Sequence, residues 1–248
     1  MKRQNLISSF AGGLIAAAMF VSSASAEVIT LRSGNGAGST DSDVSMLIGP
    51  VDTYFGSAFT ATDFANARSG PQAFIIGNHP AWLAPSSFSD PSARYISTNA
   101  LASHPTPGIG NGASALFAID FTITDASIAS ASISFDFAVD NLLGDNDALL
   151  DINEGLFLNG TALSGSTTGG GFDTTYNFTR TDIAPLLVTG LNTLYINMTD
   201  VGGPSGLIFS TTITTVAGDE VAVSEPGMIA VFGLGLIGLG LARRRQAS

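Results

Sequence analysis

The sequence is 248 residues long, 45% hydrophobic and 12% charged, with 29 Gly, 10 Pro and no Cys. Ordinary soluble domains carry about 25% charged residues, so the surface here is built largely from Ser, Thr, Asn and Gly, and disorder driven by high charge is excluded. Without cysteine, disulfide frameworks, thiolate metal sites and thiol nucleophiles are excluded together.

The chain opens with Lys2 and Arg3, an apolar run from Leu6 to Val21 and the small-residue triplet Ala24-Ser25-Ala26. This is the three-part pattern of a secretory signal peptide over residues 1–26, with cleavage after Ala26 and Glu27 as the new N-terminus. The export machinery and a signal peptidase are the partners it requires.

Residues 27–224 form the body, which is expected as one β-sandwich ectodomain with a loop-rich first part (27–110) and better-defined strands over 111–218. In the first part, Gly and Ser repeat from Ser33 to Ser42 and Pro and Ser from His79 to Pro91, with a short strand at Gln72–Ile76 between them. Both histidines, His79 and His104, precede a proline, which biases their backbones toward extended loop conformations. Trp82 and Tyr95 are the aromatics a sugar ring would stack on; their alternative is burial in a core.

From Phe117 the pattern sharpens. Phe117 to Thr124 and Ile133 to Val139 alternate apolar with small or polar residues, the signature of half-buried strands. Leu156–Leu158, Tyr176–Phe178, Leu194–Met198 and Leu207–Ile213 add strand candidates, separated by Gly, Asn and Asp turns such as Asn159-Gly160, which suits a type I′ hairpin. No helical period is sustained in the body, and Pro185 stops the one short candidate. The predicted fold is all-β, an antiparallel sandwich.

Between two of these strands lie Asp140, Asp145, Asp147, Asp151 and Glu154. Oxygen-rich loops of this kind are the material of calcium sites, although Leu150 stands where an EF-hand needs glycine. The cluster reads either as a structural calcium site or as solvated turns, in which Asp is favoured by local backbone hydrogen bonds. No other cofactor is called for.

The tail, 225–248, begins at a turn, Ser224-Glu225-Pro226-Gly227, continues as an apolar run from Met228 to Ala242 and ends in Arg243-Arg244-Arg245. The run is apolar on every face of a helix, short for a full span, and followed by cations that hold one end in the cytoplasm. The Gly-x-Gly-x-x-Gly match at Gly233–Gly238 lacks the surrounding β-α-β unit that dinucleotide binding requires. Between the two ends the body keeps four arginines, no lysine and 19 acids, a surface that repels phosphate backbones, so no nucleic-acid partner is expected.

Turn, Gly/Leu-rich span and Arg cluster together resemble the PEP-CTERM sorting signal of Gram-negative bacteria, with Ser224 in place of the first proline of the Pro-Glu-Pro motif. That resemblance implies a membrane transpeptidase of the exosortase type as partner, transient inner-membrane anchoring by helix 228–242, removal of the helix near Glu225-Pro226, and delivery to the cell surface or extracellular matrix. The order of Asp140-Asn141, Leu156–Gly160, Leu191–Leu194 and Gly202–Leu207 is similar to that in galactose-binding-like jelly rolls, which implies a non-catalytic sandwich. No nucleophile elbow, metalloprotease motif or histidine triad accompanies these features. The expected function is therefore a non-enzymatic surface or matrix protein associated with exopolysaccharide. Its alternative is a carbohydrate-binding module dependent on calcium.

Overall fold

The computed structural model describes residues 26–101, 112–145, 152–167 and 169–218, together with Gly233. Alternating side chains become strands there, each placing one face on a common core. In chain order these are β1 (Ala26–Arg32), β2 (Thr40–Val51), β3 (Gln72–Ile75), β4 (Ile96–Ser97), β5 (Ala113–Ile123) and β6 (Ile128–Asp140). They continue with β7 (Leu142–Leu143), β8 (Leu156–Leu158), β9 (Thr161–Ala162), β10 (Tyr176–Arg180), β11 (Gly190–Thr199) and β12 (Gly206–Ala217), and a helix, α1 (Ala61–Ser69), stands between β2 and β3.

Every pairing between these strands is antiparallel. They form one curled sheet in the order β10-β6-β12-β4-β3-β2-β5-β11-β8-β9, with β1 beside β12 and β7 beside β11. The short β4 is the corner, because Ile96 pairs with Leu207 of β12 and with Ile75 of β3. The sheet thus folds over at β4 as an antiparallel β-sandwich. One layer is β10, β6, β12 and β1; the other is β3, β2, β5, β11, β8 and β9.

Phe135, Phe137 and Phe209 from the first layer and Phe117, Ile119, Leu194 and Ile196 from the second fill the space between them. Phe135 and Phe209 stack with ring centroids 5.6 Å apart. Val44, Met46, Ala73 and Ile96 belong to the same core, so the loop-rich first part and the later strands share one interior. Asn159 and Gly160, at φ 51° and 82°, form the tight connection between β8 and β9, as a type I′ turn requires.

Two elements depart from the sequence reading. β2 is a 12-residue strand in the segment expected to hold only short ones; Asp41, Asp43, Gly49 and Pro50 interrupt its alternation. α1 was not expected at all. Its buried residues are Phe64 and Ala67, one turn apart, which is too narrow an apolar stripe to register as a period. The helix is specified instead by its start, where the Thr60 hydroxyl accepts from the Asp63 amide and the Asp63 carboxylate accepts from the Thr60 amide at 2.8 Å. Such a capping box satisfies two amides that the first turn leaves open. Thr60→Ala is therefore expected to cost about 1 kcal/mol, read as a fall in the denaturant midpoint at unchanged slope; no change would show that packing alone holds α1.

α1 lies on the outer face of the second layer. Phe64 and Ala67 join Leu116, Ala118, Phe157 and Tyr195, with Phe55 and Phe59 alongside, in a second apolar cluster. Among the described residues no helix is long and apolar enough to cross a membrane. Of the expected helix 228–242 only Gly233 is among the described residues, and residues 1–25 lie outside them.

Candidate functional site

The polar residues of this sandwich gather in two places. At one end, β2, β6 and β11 finish while β5 and β12 begin: Val51 pairs with Ala113, and Asp140 with Gly206. Asp140 is the last residue of β6, Asp200 follows β11 and Asp52 follows β2.

Asp140 is buried, and its carboxylate accepts from the Trp82 indole N–H at 2.8 Å and from the Asn141 amide side chain at 2.8 Å. Burial pushes its pKa upward, tempered by the Trp82 hydrogen bond and by the nearby His79. Trp82 is 5% exposed and Tyr95 1%. Their rings meet at 4.7 Å, and together with Ile76, Phe88, Ala93, Ala138 and Ile208 they make a third apolar cluster. Gly206 is required beneath them, since a Cβ there would clash with the Trp82 ring. Neither aromatic named for a sugar platform presents an open face; both are packed under a loop.

Asp200 is fully buried, and neither of its carboxylate oxygens meets a hydrogen-bond donor. Burial raises its pKa to about 6, and the negative fields of Asp52 and Asp140 add to the rise. The Gly202 amide dipole opposes the shift without reaching the carboxylate as a hydrogen bond. Its backbone is tied down by the Ser114 hydroxyl, which accepts from the Asp200 N–H at 2.9 Å. Nothing local in the sequence marks Asp200 beyond an Asp at a strand end before Gly202-Gly203.

Of the five acids named for calcium, the three among the described residues, Asp140, Asp145 and Glu154, do not converge. Asp145 accepts from the Asn197 side chain at 3.3 Å and the Thr199 hydroxyl at 3.2 Å, on the outer face of β11. Glu154 points into a different loop and accepts from the Gly165 amide at 3.0 Å and from the Thr167 amide and hydroxyl at 3.1 and 3.0 Å. Burial works to raise its pKa, but these donors together hold it below the usual range. Asp147 and Asp151 lie outside the described residues. Among the described residues no group of three or more His, Asp or Glu side chains is arranged to hold a metal ion. At the other end, Glu27 pairs with Thr215 inside β1, and its carboxylate accepts from the Thr124 amide at 2.9 Å.

The second gathering is a groove of about 360 Å³ on the outer face of the second layer, beside the C-terminal end of α1. Ser42, Asp43 and Ser45 of β2, Gln72 of β3, Asp120 of β5 and Arg68 of α1 line it around Ala118, while Val44, which also borders it, turns its side chain into the sandwich core. Arg68 Nε donates to both Asp120 oxygens at 3.0 Å, and the Thr193 hydroxyl donates to the same carboxylate at 2.6 Å. This groove was not expected from the sequence: Arg68 and Asp120 are 52 positions apart and meet only through α1.

Comparison with solved structures returns sandwich domains of low identity. A family 35 carbohydrate binding module from Clostridium thermocellum is 11% identical over 68% of this chain and 97% of its own, with a TM-score of 0.29. The CBM35 of Cellvibrio japonicus Abf62 is 15% identical over 77% and 99%, with a TM-score of 0.28. The K3 adhesin domain of Lys-gingipain from Porphyromonas gingivalis w83 is 12% identical over 78% and 100%, again with a TM-score of 0.28. No curated protein matches the chain. The family model described as the PEP-CTERM protein-sorting motif matches residues 222–246. That match takes in Ser224, Glu225, Pro226, Gly227 and the cluster Arg243, Arg244 and Arg245, all outside the described residues. The C-terminal segment of this chain carries a PEP-CTERM protein-sorting motif.

Proposed function

We propose that this chain is an exported, non-enzymatic surface protein that an exosortase-type transpeptidase processes at its C-terminus. The sandwich is left at the cell surface or in the exopolysaccharide matrix. The observation that carries this reading is the sorting-motif match over residues 222–246. Its parts have a physical division of labour. The Met228–Ala242 run partitions into the bilayer, the arginines after it stay on the cytoplasmic side, and the Glu225-Pro226 turn is left at the outer boundary, where a membrane enzyme can reach it. Asp140 and Asp200, the acids at the sandwich end, are both buried, which supports a body without catalysis at that end.

The test uses the full chain with a tag after Ser248 and antibodies against the body. In wild-type cells the body is expected at the surface without the tag. Replacing Glu225 and Pro226 together by Ala should keep the apolar run but block its removal, so that tagged, uncleaved protein collects in the inner membrane. Surface-located wild-type protein that still carries the tag would show a plain membrane anchor instead.

A further inference from the structure

The outer face of the second layer is divided. One part is covered by α1 and its aromatic cluster; the other is the open groove between Arg68 and β3. Its size lies within the range of about 300–1,000 Å³ usual for ligand sites. What distinguishes it from an ordinary patch of solvated surface is the mixture of groups and how firmly they are held.

Two aspartates, an arginine, a glutamine and two serines line the groove around the small apolar side chain of Ala118. Carboxylates only accept hydrogen bonds, guanidinium only donates, and an amide does both. A sugar hydroxyl also does both, so a pair of adjacent hydroxyls can give its protons to Asp120 or Asp43 while taking donors from Arg68 or Gln72. The lining is also fixed in advance. Asp120 is gripped by Arg68 and Thr193, and Gln72 is held by the Thr40 hydroxyl at 3.1 Å. Asp43 is held by the Asn35 side chain at 2.9 Å and the Ser42 hydroxyl at 2.8 Å. Groups already ordered lose little freedom when a ligand arrives.

Charge selects among glycans. The lining holds two acids against one arginine, that arginine is already paired with Asp120, and the whole chain has a formal charge of −11. Uronates, sulfated sugars and phosphates are repelled. The ring-stacking aromatics that usually add affinity are not in the lining, so binding is through hydroxyls and correspondingly weak.

We propose that the groove between α1 and β3 binds a segment of neutral polysaccharide through adjacent hydroxyls, with Gln72, Arg68 and Asp120 as the recognition groups. This goes beyond the sorting reading and does not depend on it, because tail processing is read by the tag and glycan binding by affinity.

The experiment uses the full chain in a zwitterionic detergent that contains no sugar, screened against a neutral glycan array with polygalacturonate and heparin oligosaccharides as anionic probes. The expected result is saturable binding of at least one neutral oligosaccharide with a Kd near the millimolar range and no binding of the anionic ones. Gln72 is exposed, so Gln72→Ala should leave the thermal midpoint within error while weakening the neutral ligand at least fivefold. Arg68→Gln should weaken it further. Absence of binding across the neutral array, preference for the anionic probes, or undiminished affinity in Gln72→Ala would each overturn the proposal.

Discussion

Trp82→Ala is expected to destabilise the protein by about 3–5 kcal/mol, and in a domain of this size that lowers the thermal midpoint by roughly 10 °C or more. The indole is 5% exposed and packs on Tyr95, Ile76, Phe88 and Ile208, so its removal leaves a cavity between loop and sheet that Gly206, with no side chain, cannot fill. A second cost is electrostatic. Asp140 is itself buried and loses the donor that tempers its raised pKa, and a buried carboxylate deprived of a partner costs more than the bond it made. Trp82→Phe separates the two contributions, since it keeps most of the ring but removes the N–H; a loss of about 1–3 kcal/mol is expected from that change alone. Because Trp82 is the chain's one tryptophan, wild-type unfolding can be followed by its fluorescence. The variants are followed by far-UV circular dichroism. A loss below about 1 kcal/mol in Trp82→Ala would mean that the ring contributes little to the core, and a role as an exposed sugar platform would have to be reconsidered.

That result bears on what could be read from the sequence. β5 and β6 were legible because their sequences alternate large apolar with small or polar residues, even where, as over Ala113 to Ile119, both faces are buried, and a period of two needs no partner to be seen. β11 was legible only in part: residues 192–200 are buried on both faces, one against the sandwich core and the other under α1 at Tyr195 and against Asp145 at Asn197 and Thr199, so polar Thr193, Asn197 and Thr199 occupy interior positions that look like surface. α1 escaped because its evidence is a cap and two residues. The described acids of the cluster part company for a related reason. Asp140, Asp145 and Glu154 are close in sequence, but β7 and the loops around it send them to three different networks, while Asp200, the acid whose field reaches Asp140, is 60 positions away. The groove had no local trace at all, because its ion pair is made by a helix laid across a sheet. Chemistry shared between distant strands becomes visible only once the register of the sheet is known.

Asp200 supplies the second large expected effect, a dependence of stability on pH with a defined sign. Its folded pKa is raised to about 6, against 3.8 for the free side chain. Below about pH 3 both folded and unfolded chains hold the proton, and the group makes no difference. Between about pH 4 and 6 the unfolded chain releases the proton while the folded one keeps it, so stability falls as pH rises; above about pH 7 the loss is complete, about 3 kcal/mol. Other groups overlie this curve. Asp41 and Asp140 are raised by burial and act in the same direction, whereas the lowered Glu154 stabilises as pH rises. The difference between wild type and Asp200→Asn isolates the residue, because the amide keeps the shape and cannot ionise. The two proteins should be equally stable near pH 3, and the variant should exceed wild type by about 3 kcal/mol at pH 7.5, seen as a higher denaturant midpoint. Millimolar calcium gives the opposing case its chance. If it stabilises wild type at pH 7.5 and leaves Asp200→Asn unchanged, a cation and not a proton meets the charge at this end of the sandwich. If the variant is less stable than wild type at pH 7.5 without added cation, the ionised carboxylate is being stabilised in the fold, and the direction assigned to its pKa is wrong.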